Sequence, residues 1–350
     1  MHIHFATRPD VHRHPGGDTL HLEQVMRSLE QRGHRVSLHD KAAWRQADVH
    51  HFFNLGRPEH LLRWLPPRHR PLVIHSLLVQ YRSTDAETSL FRRATLKLLG
   101  AHGMAYFKVW ARVFRGQHRL PPLRYILLGQ RRSERLLTRR AGRLITASSH
   151  EAQQVQKRYG FGLRPNVIPP GLEHFPAVPP PSHQEAAVLC VARIEPLKNQ
   201  LRLIEACKKL KVPLHLVGEA SPNHQAYFKR CQAAASAQVT FHGALPREEV
   251  ARLMQRFRVH ALPSLFETTG LSTLEALGSH CLVVVSAQPI QRELWGQRAF
   301  YCEPRRVSSI TGAIRRALSA PPLSHASYVR RRFSWAQGAE KIDDLYRALL

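Results

Sequence analysis

Short apolar runs recur along the chain, each bounded by turn residues and separated by segments with helical spacing. Ile3–Thr7 reads as a strand, and Leu20, Leu22, Val25, Met26 and Leu29 then fall on one face of a helix that stops before Gly33. RVSLHD, DVHHFFN and PLVIHSLLV follow as further strands. GRLITASS is another, with Ser148 or Ser149 capping a helix to about Tyr159, and NVIPPG closes the first half. The second half repeats the rhythm with AAVLCVARI, PLHLVG, VTFHG, RVHALPS, CLVVVS and AFYCEP as strands. The end of the chain sets Trp335, Ala339, Ile342, Leu345, Tyr346 and Leu349 on one stripe behind Ser334. Strand and helix alternating in this way predict an α/β protein with two doubly wound parallel sheets. The expected division is residues 1–175, a stiff Pro-rich linker at 176–185, a second domain at 186–324, and a final segment at 325–350.

A chain of 350 residues is long enough for two domains with separate cores. No apolar run approaches the length of a transmembrane helix, and the polar start MHIHFATRPD is not a secretory signal, so a cytoplasmic protein is expected. Its five cysteines are odd in number, lack CxxC spacing and sit in apolar contexts, as reduced core thiols do.

Charge changes the picture more. Lys and Arg number 52 against 25 Asp and Glu, a net charge of +27, which favours polyanionic partners without choosing among nucleic acid, anionic lipid and phosphorylated small molecules. The excess is densest at about 85–140, where thirteen cations face only Asp85, Glu87 and Glu134. Leu96, Leu98, Leu99, Tyr106, Phe107, Val109, Trp110, Val113 and Phe114 alternate with them at helical spacing. This reads either as a face lying on an anionic membrane or as an inserted helical pair with a solvated basic side. No nucleic-acid-binding motif accompanies the charge, so nucleic acid is the weakest of the three partners.

Two stretches carry candidate chemistry. In LPSLFETTGLSTLEAL (Leu262–Leu277) a strand end passes through a loop into a helix, with Glu267 in the loop, Gly270 at the helix mouth and Glu275 in the helix. In an open parallel sheet such a junction lies where ligands bind, and the first N–H groups of the helix suit sugar or phosphate oxygens. A solvated Glu267 and a helix-surface Glu275 would also fit this spacing alone. In ARIEPLKN (Ala192–Asn199), Arg193 closes a strand and Lys198 precedes a helix, an arrangement able to clamp a diphosphate. HPGGD in the first βα turn places Gly16 and Gly17 where the chain can turn tightly and approach an anion, with Asp18 or Thr19 as plausible caps. It is not GxGxxG, so no nicotinamide cofactor is indicated. His2/His4 and His12/His14 lack carboxylate or Cys partners at useful spacing, and no DxD pair ends a strand, so no metal is expected.

Taken together, ARIEPLKN, HLVGE, VTFHGALPREE and LPSLFETTGLSTLEAL, in this order and spacing, resemble the carboxyl-terminal domain of retaining glycosyltransferases of the GT-B fold, family 4 (glycosyl transferases group 1). HPGGD, RLITASSHEAQQVQKRYG, VIPPG and the FSW-initiated last helix extend the likeness along nearly the whole chain. The resemblance implies two Rossmann-like domains facing a cleft, with the final helix crossing back to the first domain. It implies that Arg193 and Lys198 hold the donor diphosphate, that Glu267 contacts the transferred sugar, and that Glu275 holds the ribose. Gly218, Gly243, Gly270 and Leu271 would complete the donor site, and Gly16 and Gly17 would approach from the other domain. His75, which ends PLVIH, stands where similar enzymes often keep a histidine near the reacting sugar. With 23 histidines in the chain, a bystander remains an open reading. The implied activity is retaining transfer of a sugar from a nucleotide-diphosphate-sugar donor to a glycan or lipid-linked acceptor, in cell-surface polysaccharide synthesis at the inner face of the membrane. The donor is a substrate, and no cofactor or metal is implied. The alternative is an inactive GT-B-fold protein that binds anionic membrane or nucleic acid through its basic surface.

Overall fold

The computed structural model describes residues 1–13, 16–78, 90–116, 120–172 and 181–350. They form two compact units, Met1–Pro169 with Trp335–Leu350, and Pro170–Ser334. The first unit holds a parallel sheet of β1 (His2–Ala6), β2 (Arg35–Leu38), β3 (Val49–Phe53), β4 (Leu72–His75), β5 (Arg143–Thr146) and β6 (Asn166–Val167), in the order β2-β1-β3-β4-β5-β6. The second holds β7 (Glu185–Val191), β8 (Leu214–Val217), β9 (Val239–Gly243), β10 (Phe257–Leu262), β11 (Leu282–Ser286) and β12 (Ala299–Cys302), ordered β12-β11-β10-β7-β8-β9.

Helices cover both faces of each sheet, so neighbouring strand residues are buried on opposite sides. Val188 and Cys190 join one core of the second unit, whereas Ala187 and Leu189 join the other. In the first unit Val73 and Ile145 likewise face one core, and Leu72, Ile74 and Leu144 the other. Continuous Val/Ile/Leu runs are what a parallel sheet buried on both faces requires. All five cysteines are free and buried.

The chain re-enters the first unit at Trp335. The helix Trp335–Arg347 sets Trp335, Ala339, Ile342 and Tyr346 into the same core as Leu22, Val25 and Leu29 of the helix Gly17–Glu30. The helix Ala326–Arg332, expected within the final segment, stays with the second unit: Val329 and Phe333 pack among Leu274, Leu277 and Trp295. The change of unit comes at Pro170, ahead of the expected linker, of which residues 176–180 lie outside the described set.

Between β4 and β5 run the helices Leu90–Phe114 and Leu123–Arg140, interrupted at Gly100 (φ 64°) and Gly129 (φ 65°). Only glycine takes that backbone with ψ near 180° without strain. Residues 85–89 and 117–119 of the basic segment, and the side chains of Leu96, Leu98 and Leu99, lie outside the described set.

Candidate functional site

Strand order locates the site. From β7 the chain proceeds outward through β8 to β9, then returns to β10 on the other side of β7 and continues to β12. The loops after β7 and β10 therefore diverge at one point of the sheet, where an open α/β unit forms its ligand crevice. These loops are Ala192–Asn199 and Pro263–Gly270.

Backbone and amide contacts bind them together. Leu265 N donates to Leu197 O at 2.8 Å. Asn199 adopts the left-handed conformation (φ 63°), which Asn tolerates, and its side-chain amide donates to Pro263 O at 3.0 Å and Pro304 O at 2.7 Å. One buried side chain thus joins the loops after β7, β10 and β12. Gln200 Nε2 holds Arg193 O at 2.8 Å. At Gly218 (φ 128°) a Cβ would lie 2.2 Å from Ala192 O, so the end of β8 sits directly against the loop that carries Arg193. Gly218 N in turn donates to Gly243 O at 2.7 Å.

On this frame Lys198 Nζ donates to Glu267 Oε2 at 2.5 Å, with the two side chains 17% and 12% exposed. Ser264 Oγ donates to the same oxygen at 3.3 Å. Gln288 spans the loop, accepting from Glu267 N at 3.1 Å and donating to Ser264 O at 3.1 Å, and Gln291 donates to Thr268 O at 2.8 Å. Gly270 (φ 73°) caps the helix Leu271–Gly278, and a Cβ there would meet Glu267 Cγ at 3.2 Å. The first N–H groups of any helix lack partners within it, and here they belong to Leu271 and its neighbour.

Lys198 and Glu267 are therefore brought together across two loops. Arg193 and Glu275 have other partners. Half-exposed Arg193 donates to Glu195 Oε1 at 3.4 Å, and Arg247 donates to Glu275 Oε1 at 3.0 Å. Burial pushes the Glu275 carboxyl up, and the Arg247 guanidinium opposes it. The two acids of the motif thus each hold their own cation.

In the first unit Gly16 is the N-cap of the helix Gly17–Glu30 with extended backbone (φ −159°), a conformation open to any residue. The tight turn expected of this glycine pair is not what Gly16 makes. Neither expected cap acts as one: Thr19 Oγ1 accepts from Gly16 N at 3.1 Å and donates to Val11 O at 3.0 Å, while Asp18 pairs with Arg8 at 3.0 Å. His14 lies outside the described residues.

His75 is fully buried. Its ring stacks on His51 and Phe53 and meets His21 edge-on. His51 Nε2 is 2.7 Å from His75 Nδ1, and His51 Nδ1 is 2.5 Å from Tyr346 Oη, while His75 Nε2 has no hydrogen-bond partner among the described residues. Burial holds His75 well below the usual imidazole range, His51 down to about 3 and His21 to about 4, so the cluster is neutral. Among the described residues no group of three His, Cys, Asp or Glu could hold a metal ion.

The sequence reading missed Asn199, Gln288, Gln291, His51 and Tyr346. Gln288 follows a strand end beside β10, a position that could have marked it.

Residues 173–332 match the family described as glycosyl transferases group 1. That match covers most of the second unit and supports a group 1 glycosyltransferase. The chain is 26% identical over 199 residues to the MMP alpha-(1->4)-mannosyltransferase of Mycolicibacterium hassiacum, covering 54% of this chain and 48% of that protein. It is 28% identical over 232 residues to the glycogen synthase of Mycobacterium tuberculosis, covering 61% of this chain and 56% of that one. The chain thus spans about half the length of the curated relatives it matches. Among solved structures, Anabaena Alr3699/HepE in complex with UDP and glucose aligns with a TM-score of 0.69 at 17% identity over 98% of both chains. At that identity the likeness is one of fold, and the fold of this chain is GT-B.

Proposed function

We propose that this chain is a retaining glycosyltransferase that moves a sugar from a nucleotide-diphosphate donor to a glycan or lipid-linked acceptor, in the synthesis of a cell-surface polysaccharide. The observation that carries the reading is the Lys198–Glu267 pair at the divergence point of the second sheet. Breaking a sugar–diphosphate bond leaves negative charge on the leaving oxygen and positive charge on the sugar carbon. Fixed cations beside the diphosphate and an anion beside the sugar answer both. In this reading Lys198 and Arg193 take the diphosphate together with the Leu271 N–H, Glu267 orients sugar hydroxyls, and Glu275 meets the ribose. Gly218, just after β8, and Gly243, which ends β9, belong to the same donor set, Gly218 by letting the end of β8 pack directly on the loop that carries Arg193.

Glu267 is already engaged by Lys198 and Ser264, which suits an orienting group better than a free nucleophile. Retention then follows from same-face attack: the carbon–oxygen bond to the diphosphate breaks with its electron pair on the phosphate, and the acceptor oxygen bonds to the carbon on that side. The acceptor's proton passes to the departing phosphate oxygen. Lys198 and Arg193 supply the charge that a metal provides in other designs, so neither metal nor cofactor is part of the proposal.

The HepE structure contains UDP and glucose, and two relatives are named for mannose transfer and glycogen synthesis. UDP, GDP and ADP are therefore the first ligands to test. At a hundredfold excess over Kd a ligand stabilises by about 2.7 kcal/mol, several degrees in melting temperature for a unit of this size. Stabilisation by one of the three, followed by turnover of its sugar donor to a product that keeps the anomeric configuration, is the expected result. No shift with any of them, or inversion in the product, would overturn the reading.

A second observation bears on the acceptor side. Phe114, Leu123 and Leu127 are 84%, 68% and 72% exposed, interleaved with Arg115, Arg124 and Arg131. Exposed apolar groups among cations favour contact with an anionic membrane surface, and peripheral association with the inner face is part of the proposal. No helix among the described residues is long and apolar enough to cross a membrane. Cosedimentation with vesicles of phosphatidylglycerol but not phosphatidylcholine, reversed by salt, is expected, and equal behaviour with both would remove this part.

A further inference from the structure

The first unit contains a cavity of about 520 Å³ between the loop after β3, the helices Leu90–Phe114 and Leu123–Arg140, and the helix Ser149–Tyr159. Its size is that of a small-molecule site. Arg57, Lys108, Arg112, Lys157 and Arg158 line it, against two carboxylates, Glu59 and Glu134. That balance favours an anionic occupant.

The two acids differ in a way that narrows the occupant. Glu134 is satisfied: it accepts from Arg158 at 2.9 and 3.0 Å, from Gln130 at 2.7 Å and from Tyr159 Oη at 3.0 Å. Glu59, with its side chain 4% exposed, has no side-chain hydrogen-bond donor on either oxygen among the described residues; the His60 imidazole lies 3.6 Å away and the Arg57 guanidinium 3.9 Å. A buried carboxyl group without donors is strongly disfavoured unless something that visits the cavity supplies them. Adjacent hydroxyls of a sugar ring supply two donors at the spacing of the two oxygens. Burial pushes the Glu59 carboxyl up, and a hydroxyl can serve the protonated form as well, because it also accepts. No Phe, Tyr or Trp lines the cavity among the described residues, so it offers no platform for a nucleotide base.

We propose that this cavity binds a sugar carrying phosphate or carboxylate, with Glu59 receiving ring hydroxyls and the Arg57–Lys108–Arg112 side holding the anion. Its assignment as the acceptor's site rests on the proposed transfer, whereas the binding itself does not.

The test is calorimetric titration of the full chain with mannose 6-phosphate, glucuronate, neutral mannose and inorganic phosphate. Flotation with phosphatidylglycerol vesicles adds a lipid-headgroup arm. At least one charged sugar should bind at least tenfold more tightly than mannose or phosphate. Glu59→Gln and Arg112→Met should each weaken it at least tenfold. Lys157→Ala, at the exposed mouth, probes the anion side without touching the core and should weaken it several-fold. Lys198→Ala in the second unit should leave it unchanged. If flotation is what Glu59→Gln abolishes, the sugar or polyol phosphate is a lipid headgroup; if the soluble ligands lose binding instead, it is free. Binding of phosphate as tight as that of the charged sugars, binding that survives the cavity substitutions, or no binding in either arm overturns the proposal. A chain that binds UDP but no charged sugar fails only here, and one that binds a charged sugar but no nucleotide fails only as the proposed transferase.

Discussion

His51 Nε2 lies 2.7 Å from His75 Nδ1, and the opposite nitrogen of His51 meets Tyr346 Oη. A phenol has one proton. If His51 donated to Tyr346, the buried Tyr346 proton would have no acceptor among the described residues, so Tyr346 donates to His51 Nδ1. His51 then carries its proton on Nε2 and donates to His75 Nδ1, which leaves His75 as a donor at Nε2. Nitrogen-15 chemical shifts of the imidazoles at neutral pH should show both Nδ1 atoms unprotonated. Tyr346→Phe should cost about 1–3 kcal/mol and free the tautomers to mix. A proton found on His75 Nδ1 in the native chain would contradict this order.

Lys198 and Glu267 should separate on substitution, because they neutralise each other before a donor arrives. Lys198→Ala removes the cation, so nucleoside diphosphate affinity and turnover should fall together. Glu267→Gln keeps the shape and releases Lys198 toward phosphate, so affinity should hold or rise while turnover falls at least about a hundredfold, some 2.7 kcal/mol. Titration calorimetry and initial rates on the two variants measure this. Parallel losses of affinity in both would show that Glu267 does not restrain the lysine.

Gly218→Ala is expected to damage the same site through the backbone. The added methyl would face Ala192 O at 2.2 Å and its carbonyl carbon at 2.8 Å, at φ 128°. Both neighbours are main chain, so no rotamer change relieves the clash. Strain and overpacking together should cost about 2–5 kcal/mol, with nucleotide affinity lost as the Arg193 loop shifts. Denaturant unfolding and ligand titration of the variant provide the check, and a stability within experimental error of the parent would show that the strands re-space freely.

The sheets were legible because runs such as AAVLCV and LVVVS are apolar on both faces, which in chains of this length marks buried parallel strands. Lys198 and Glu267 were legible because charged residues at strand ends stand out against such runs. Gln288 was legible only by its place just after a strand beside β10, since a neutral amide carries no sign of the loop it spans. The His51–Tyr346 contact joins positions 295 residues apart, and period-two alternation says only that His51 faces one side of a strand. Gly16 shows the opposite error, where residue type suggested a special backbone and the chain is simply extended.

Buried neutral histidines should make the first unit the acid-sensitive one. Burial takes His4, His21 and His50 down to about 4, His51 to about 3 and His75 well below the usual imidazole range, whereas the second unit has His260, at about 3, as its fully buried counterpart. Unfolded, each titrates near 6.5, so between that value and its folded value the unfolded chain binds more protons. Their contribution is complete above about pH 6.5 and is lost as pH falls toward 4, each adding a slope of up to about 1.4 kcal/mol per pH unit. Glu59 and Glu151, whose carboxyls burial raises, act in the opposite direction but are outnumbered. Hydrogen exchange followed by mass spectrometry from pH 7 to 4.5, corrected for the intrinsic rate, should therefore show β1 and β3 losing protection at higher pH than β10 and β11. The reverse order would mean that the histidines are hydrated or paired in solution and that carboxylate protonation in the second unit governs acid stability.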